Sequence, residues 1–369
     1  MDDDENDSLP LPRPSLCSPA DVKPTIFSLT PEQRIASGSE WTSDHVKAFR
    51  VDQQTPRVFL PQLAEYFGPA DVTLSSDGCK RLLESICVIQ EAGGGGDQVR
   101  RDGGGTPPAP CLRVRRQTQQ FQGMVSTVAT LSSSPNASLH SSQGTTSYQD
   151  HHSVHGSDFD EDESAIRTKE ETLTVLLCRA FLRYVLDYCV DDGDVPLEPN
   201  GIDFFDTKTT HYGNFGIMNY TAQHDGGIWS TQKFITRQQT GGWSKTSQVA
   251  LFEAKACASI HKAGHVETSE KMVAQYTAEV VAFLFGGDSP KKVYLISAVQ
   301  TFICFFCFEP SDRYLEYLCC DGPEQLKANG LENETLTVHS TKWYSLNSAQ
   351  ECKSALRNAI ALLYLLAEE

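Results

Sequence analysis

The sequence predicts an α/β (α+β) domain over residues 159–369, a mixed sheet flanked by helices, behind a largely disordered N-terminal region. Three observations predict it. Apolar residues in that segment switch between helical and strand spacing in the order helix, strands, helix, strands, helix. The composition before it shifts at residue 92, where Gly93 to Gly96 and Gly103 to Gly105 open a long Ser/Thr/Gln/His tract. One apolar run, Val249-Ala250-Leu251-Phe252-Glu253-Ala254-Lys255-Ala256, reads as a buried strand that ends in two opposite charges.

In chain order, residues 1–57 open with Met1-Asp2-Asp3-Asp4-Glu5 and read as a disordered acidic, Pro/Ser-rich arm, a place for protein partners to attach. Residues 58–91 carry Val58, Leu60, Leu63, Tyr66 and Phe67, then Leu82, Leu83, Ile86 and Val88. They predict two short helices separated by Gly68-Pro69, a segment able to dock on the main domain. Residues 92–158 form a linker. Its Arg113, Arg115 and Arg116 read as a solvated charge run or a weak nuclear import signal, and its His151, His152 and His155 have no scaffold to hold a metal.

Within the domain, Thr168-Lys169-Glu170-Glu171 matches a capping box with Thr168 as N-cap. The helix then runs on Leu173, Leu176, Leu177, Ala180, Phe181, Tyr184, Val185 and Tyr188. Strands follow at Ile202 to Phe205 and Met218 to Trp229, and a Gly241-Gly242 turn leads into the 249–256 strand. A second helix starts at Thr268 or Ser269, carries Met272, Val273, Tyr276, Val280, Phe283 and Leu284, and stops at Gly286-Gly287. Strands are expected at 293–299, 301–308 and 314–319, with an edge strand at 336–343. Ser348-Ala349-Gln350-Glu351 caps a last helix ending near Ala367.

Charge and composition exclude several classes. The formal charge of −17, spread over both sides of residue 160, disfavours a protein that coats nucleic acid electrostatically but leaves open an enzyme that cuts it. The start lacks a basic and apolar leader, and the apolar stretches are too short or interrupted to span a membrane. Twelve cysteines without such a leader read as reduced thiols, which places the protein in the nucleus or cytoplasm.

The chemistry concentrates at the charged strand end. Positions two apart on a strand share a face, so Glu253 and Lys255 project side by side, and burying both is costly. The acid-x-Lys spacing also occurs at Asp21, Asp206 and Glu351. Asp21 lies in the arm and Glu351 caps a helix, whereas Asp206-Thr207-Lys208 follows a strand and competes. Asp225, beside Gly226-Gly227, sits on a segment that would return antiparallel to 249–256 and face Glu253. Gln275 lies beside the apolar stripe of the second helix. Glu170 keeps register with Leu173, Leu177 and Phe181 and so points inward, while Glu171 does not. Each residue also has a structural alternative: a strand-end ion pair, a turn acid at Asp225, a solvated Gln275, a first-turn carboxylate at Glu170. Cys304 and Cys307, three apart on a strand, face opposite sides and cannot share a zinc ion. Trp229 and Trp243 either pack the hairpin or stack on bases.

Taken in order, Glu170, Asp225, Glu253, Lys255 and Gln275 resemble the PD-(D/E)XK nuclease superfamily, and within it a divergent eukaryotic branch with a Trp-rich hairpin before an E-A-K strand. The resemblance spans roughly residues 160–320. Asp225 lacks the preceding proline, and the loop to Glu253 is longer than a minimal hairpin. The resemblance implies a restriction-endonuclease-like fold and Mg²⁺-dependent hydrolysis of phosphodiester bonds in DNA or RNA. Asp225 and Glu253 would hold the metal, with Ala254 lending its carbonyl. Lys255 would orient or deprotonate the water, Gln275 would position Lys255 or the nucleic-acid backbone, and Glu170 would be the helix acid. The rival reading is a catalytically inactive nuclease-like fold acting as a protein-interaction module.

Overall fold

A computed structural model describes residues 23–75, 160–186, 200–235, 241–255, 266–286 and 290–368, and a few positions between 77 and 84. Side chains are described for all of these except 160–170, 200, 232–235 and 241–246.

The strands, in chain order, are β1 (Val51–Gln53), β2 (Asn200–Phe205), β3 (Thr209–Phe215), β4 (Met218–His224), β5 (Gly226–Ile235) and β6 (Gly241–Lys255). They continue with β7 (Val293–Val299), β8 (Phe302–Glu309), β9 (Leu336–Ser340) and β10 (Tyr344–Ser345). The described helices are α1 (Pro31–Ile35), α2 (Ser43–Ala48), α3 (Phe67–Leu74), α4 (Asp160–Tyr184), α5 (Glu270–Phe285), α6 (Asp312–Leu318), α7 (Pro323–Ala328) and α8 (Ala349–Glu368). The main sheet is eight-stranded and mixed, in the order β1-β9-β8-β7-β6-β5-β2, with β10 beside β8; β3 and β4 form a separate hairpin. β5 and β6 are antiparallel, β6 and β7 parallel, and α5 is the crossover between the parallel pair.

Alternation along β6 sorts its side chains between two cores. Phe252 and Ala254 join the core under α4 and α8, while Leu251 turns to the opposite face, under α5. Every residue of β7 is buried, as expected of a strand covered on both faces. Helix α5 is buried almost all round because the sheet lies on one side and the β3–β4 hairpin and the N-terminal segment on the other. Ser269 caps it by accepting from the Met272 N–H, and Gly286 closes it.

Several expectations need correction. Residues 23–57, expected to be part of the disordered arm, are packed. Ile26, Leu29, Trp41 and Phe49 are buried in the α5-side core, and β1 adds in parallel to β9. Their anchors are single apolar residues without periodicity, which pattern reading passes over. The Tyr314 hydroxyl donates to the Phe49 carbonyl at 2.9 Å and the Ile26 N–H donates to the Tyr317 hydroxyl at 3.1 Å. Gly68-Pro69 does not separate two helices. It lies in the first turn of α3, where the N–H that proline lacks would have had no partner. Leu60, Leu63, Ala70 and Leu74 bury against the α8 side, so the described part of this segment is docked, while Leu82, Ile86 and Val88 lie outside the described residues.

Helix α4 starts at Asp160, which puts Thr168 inside it rather than at its cap. The 218–229 strand is two strands broken at Asp225, Gly241-Gly242 opens β6, and β3 and α7 add to what was expected. Residues 312–318 form helix α6 instead of a strand, since Ser311 accepts from the Tyr314 N–H and Tyr314, Tyr317 and Leu318 fall on one buried face. The 336–340 strand is not an edge, because β1 covers it. The linker with Arg113, Arg115, Arg116, His151, His152 and His155 lies outside the described residues.

Candidate active site

Asp225 occupies the break between β4 and β5, and its backbone is tied to β6. Its N–H donates to the Phe252 carbonyl at 3.0 Å, and its Oδ2 accepts the Ala254 N–H at 3.0 Å. The carboxylate thus replaces a ladder rung and is locked against the stretch of β6 that carries Glu253. The residue after it has to be glycine. Gly226 has φ +155°, and a Cβ there would lie 2.2 Å from the Phe205 carbonyl oxygen.

Glu253 is 3% exposed and turned toward α5. Its Oε1 accepts from the Lys255 ammonium and from Gln275 Nε2, the latter at 2.8 Å. The same Gln275 nitrogen donates to Glu279 Oε1 at 2.7 Å, so one amide spans two buried carboxyl groups. The second oxygens, Glu253 Oε2 and Glu279 Oε2, are buried with no hydrogen-bond partner. Behind them, Ser297, the register partner of Glu253 on β7, shares a hydrogen bond with the Tyr276 hydroxyl. At the open side, Lys208 Nζ lies 3.1 Å from Asp225 Oδ1 and 3.7 Å from Glu171 Oε1.

Burial pushes the Glu253 carboxyl up to about 7, with Lys255 opposing the rise and Asp225 adding to it. Burial, and then the charge of Glu253, raises Glu279 well above the carboxylate range. Burial works against the Lys255 charge, but Glu253, Glu279 and Asp225 outweigh it and raise its ammonium. Its acidic neighbours thus favour the charged form of Lys255. Next to Asp225, His224 falls to about 3 through burial and its neighbour His211, whose Nε2 lies 3.1 Å away.

Asp225, Glu253, Lys255 and Gln275 are brought together at the end of β6. The side chain of Glu170 lies outside the described residues; Glu171, expected to point away, is the α4 carboxylate that reaches Lys208. The competing Asp206–Lys208 pair is split, with Asp206 held by Arg179 at 2.7 Å and Lys208 turned into the site. Cys304 and Cys307 face opposite cores as expected. Trp229 is half-buried on β5, and the side chain of Trp243 lies outside the described residues. Sequence reading missed Glu279 and the role of Lys208. Glu279 stands one helical turn beyond Gln275, a spacing that could have found it; Lys208 needed the tertiary structure.

No protein-family model matches the chain, and no curated protein matches it. Among the described residues no helix is long and apolar enough to cross a membrane, and no three His, Cys, Asp or Glu side chains gather into a group that could hold a metal ion.

Proposed function

We propose that this domain is a divergent nuclease of the PD-(D/E)XK type that hydrolyses phosphodiester bonds in nucleic acid with Mg²⁺. The observation that carries the reading is the Ala254 N–H bond to Asp225 Oδ2, which fixes one carboxylate beside a second, Glu253, flanked by Lys255 and Gln275. A folded strand end has no structural need for this set: it buries Glu253 and Glu279 side by side and leaves one carboxyl oxygen of each unpartnered.

The donor set fits a hard cation. Asp225 and Glu253 offer carboxylate oxygens only, one of them, Glu253 Oε2, unpartnered. Two protein carboxylates with water completing the shell is how Mg²⁺ is usually held, so a three-residue cage is not required. Bound there, the ion would supply a water activated near neutral pH and charge to offset the phosphate oxygens. The chain's own residues do the rest. Lys255, held charged by its neighbours, faces the scissile phosphate as a fixed cation. Gln275 holds the Glu253 carboxylate in place through one amide hydrogen while Glu279 receives the other.

A second reading is favoured by Lys208. Its ammonium sits on Asp225 Oδ1, where a cation would otherwise lie, and Lys255 neutralises Glu253, so both carboxylates are already countered. On that reading the fold is a non-catalytic interaction module. Cleavage of single-stranded and duplex oligonucleotides in Mg²⁺, with and without chelator, separates the two. The nuclease reading expects chelator-sensitive products that disappear in Glu253→Ala and Lys255→Ala. Absence of metal-dependent products from the unaltered protein, or unchanged cleavage by Glu253→Ala, refutes it.

A further inference from the structure

A cavity of about 540 Å³ opens on the same face and rim of the sheet as Glu253 and Lys255. Its place follows from the register. Lys255 pairs with Val299 and Val299 pairs with Phe302, which lines the cavity. Phe302 is therefore two strands across from Lys255, about 10 Å along the rim. Thr268, which leads into α5, and Trp343 and Ser345 also line it.

The chemistry of the wall selects its occupant. Phe302 and Trp343 are half-buried aromatic rings, and the Trp343 indole is oriented by its N–H donating to Thr268 Oγ1 at 3.1 Å. The polar groups are an exposed amide, Gln53, the hydroxyls of Thr268, Thr341 and Ser345, two carboxylates, Glu267 and Glu351, and one exposed ammonium, Lys342. Glu351 Oε2 is engaged by the Ser345 N–H at 2.7 Å. The two carboxylates outnumber the one ammonium and so disfavour a phosphate inside the cavity, but they accept hydrogen bonds from the ring and exocyclic N–H groups of a base. Flat aromatic walls with a polar edge suit a heterocyclic ring, and the volume lies in the range of small-ligand sites.

We propose that this cavity takes one unpaired nucleobase of a single-stranded nucleic acid, stacked on Trp343, while the neighbouring phosphate lies at Lys255. The proposal rests on the nuclease reading for the position of that phosphate. A base inside a duplex presents no free face, so the cavity makes the substrate single-stranded or locally unpaired at the cut.

The test is fluorescence anisotropy of a short end-labelled single-stranded DNA in chelator, beside a blunt duplex of the same sequence and a single strand with abasic positions. Binding is expected to favour the intact single strand and to weaken about tenfold in Trp343→Leu, with Trp343→Phe restoring most of it. Gln53→Ala, at an exposed position, is expected to change the preference among bases with an unchanged melting temperature, which keeps the test valid should Trp343→Leu fail to fold. Equal binding of duplex or abasic strand overturns the proposal, as do Trp343→Leu and Gln53→Ala proteins that bind like the parent. The outcomes also separate the two readings. Trp343-dependent binding without metal-dependent cleavage rejects the nuclease and keeps the cavity. Cleavage with KM and single-strand preference untouched by Trp343→Leu rejects the cavity and keeps the nuclease.

Discussion

Replacing Glu253 by Gln should make the protein more stable at pH 8 while abolishing cleavage. The Glu253 carboxyl rises from an ordinary 4.5 to about 7 in the folded chain. Between those values the folded state binds the proton more tightly than the unfolded one, so this group lowers stability as pH rises through that window and reaches its full cost above pH 7. A displacement of that size corresponds to about 3 kcal/mol, with the opposing pull of Lys255 already included. Glutamine keeps the shape and one acceptor oxygen but carries no charge. It loses part of the Lys255 and Gln275 contacts, leaving a net gain of about 1–3 kcal/mol, or roughly 2–10 °C in melting temperature for a domain of this size.

Thermal melts of the two proteins from pH 5 to pH 8 read the effect. Their curves should nearly coincide at pH 5, where Glu253 is itself neutral, and separate as pH approaches 7. A Glu253→Gln protein no more stable than the parent at pH 8, or a difference that stays flat across the range, would refute the claim that this carboxylate is buried at a cost. A site residue whose removal stabilises the fold is held there for a reason other than folding.

Lys255→Met should act in the opposite direction, lowering stability at pH 8 by about 1–3 kcal/mol because it leaves Glu253 buried without its counter-ion, and recovering as pH falls to 5; the same melts check it. Lys208→Ala removes the exposed ammonium from Asp225 and should tighten Mg²⁺ or Mn²⁺ binding, read by calorimetry, if a cation competes for that carboxylate. Trp41, 1% exposed and stacked on His45, anchors the N-terminal segment to the α5-side core. Trp41→Ala should cost about 3–5 kcal/mol in chemical denaturation; a loss below 1 kcal/mol would mean that residues 23–57 are not part of the cooperative unit.

What was legible in the sequence tracks the range of the forces involved. The end of β6, the N-cap of α5 at Ser269 and the opposite faces of Cys304 and Cys307 rest on strand and helix period, which a local pattern carries. Asp225 is legible as an acid beside Gly226-Gly227 on a segment expected to return antiparallel to β6, whereas the strand break at that residue is not. The helical state of residues 312–318 was missed because Tyr314, Tyr317, Leu318 and the cysteines also suit a strand; the Ser311 cap decides it. Long-range packing was not legible: the docking of Trp41, the move of Lys208 away from Asp206, and the choice of Glu171 as the acid reaching the site. None of these has a local signal, since a single aromatic or lysine looks the same whether buried, paired or solvated.

The charge balance of the site turns on Lys208. Burial pushes Glu279 toward its neutral form, and the carboxylates of Asp225, Glu253 and Glu171 are met by two ammonium groups, Lys255 and Lys208. Lys208 is shared between Asp225 and Glu171. The two ammonium groups are not equivalent. The Lys255 side chain is 25% exposed and pulled in by three acids, whereas that of Lys208 is 58% exposed on a long stem just after β2. A divalent ion arriving at Asp225 and Glu253 would displace Lys208 into solvent at little desolvation cost and leave Lys255 facing the substrate. The nuclease and inert-module readings thus differ by whether one exposed lysine yields its place to a divalent ion.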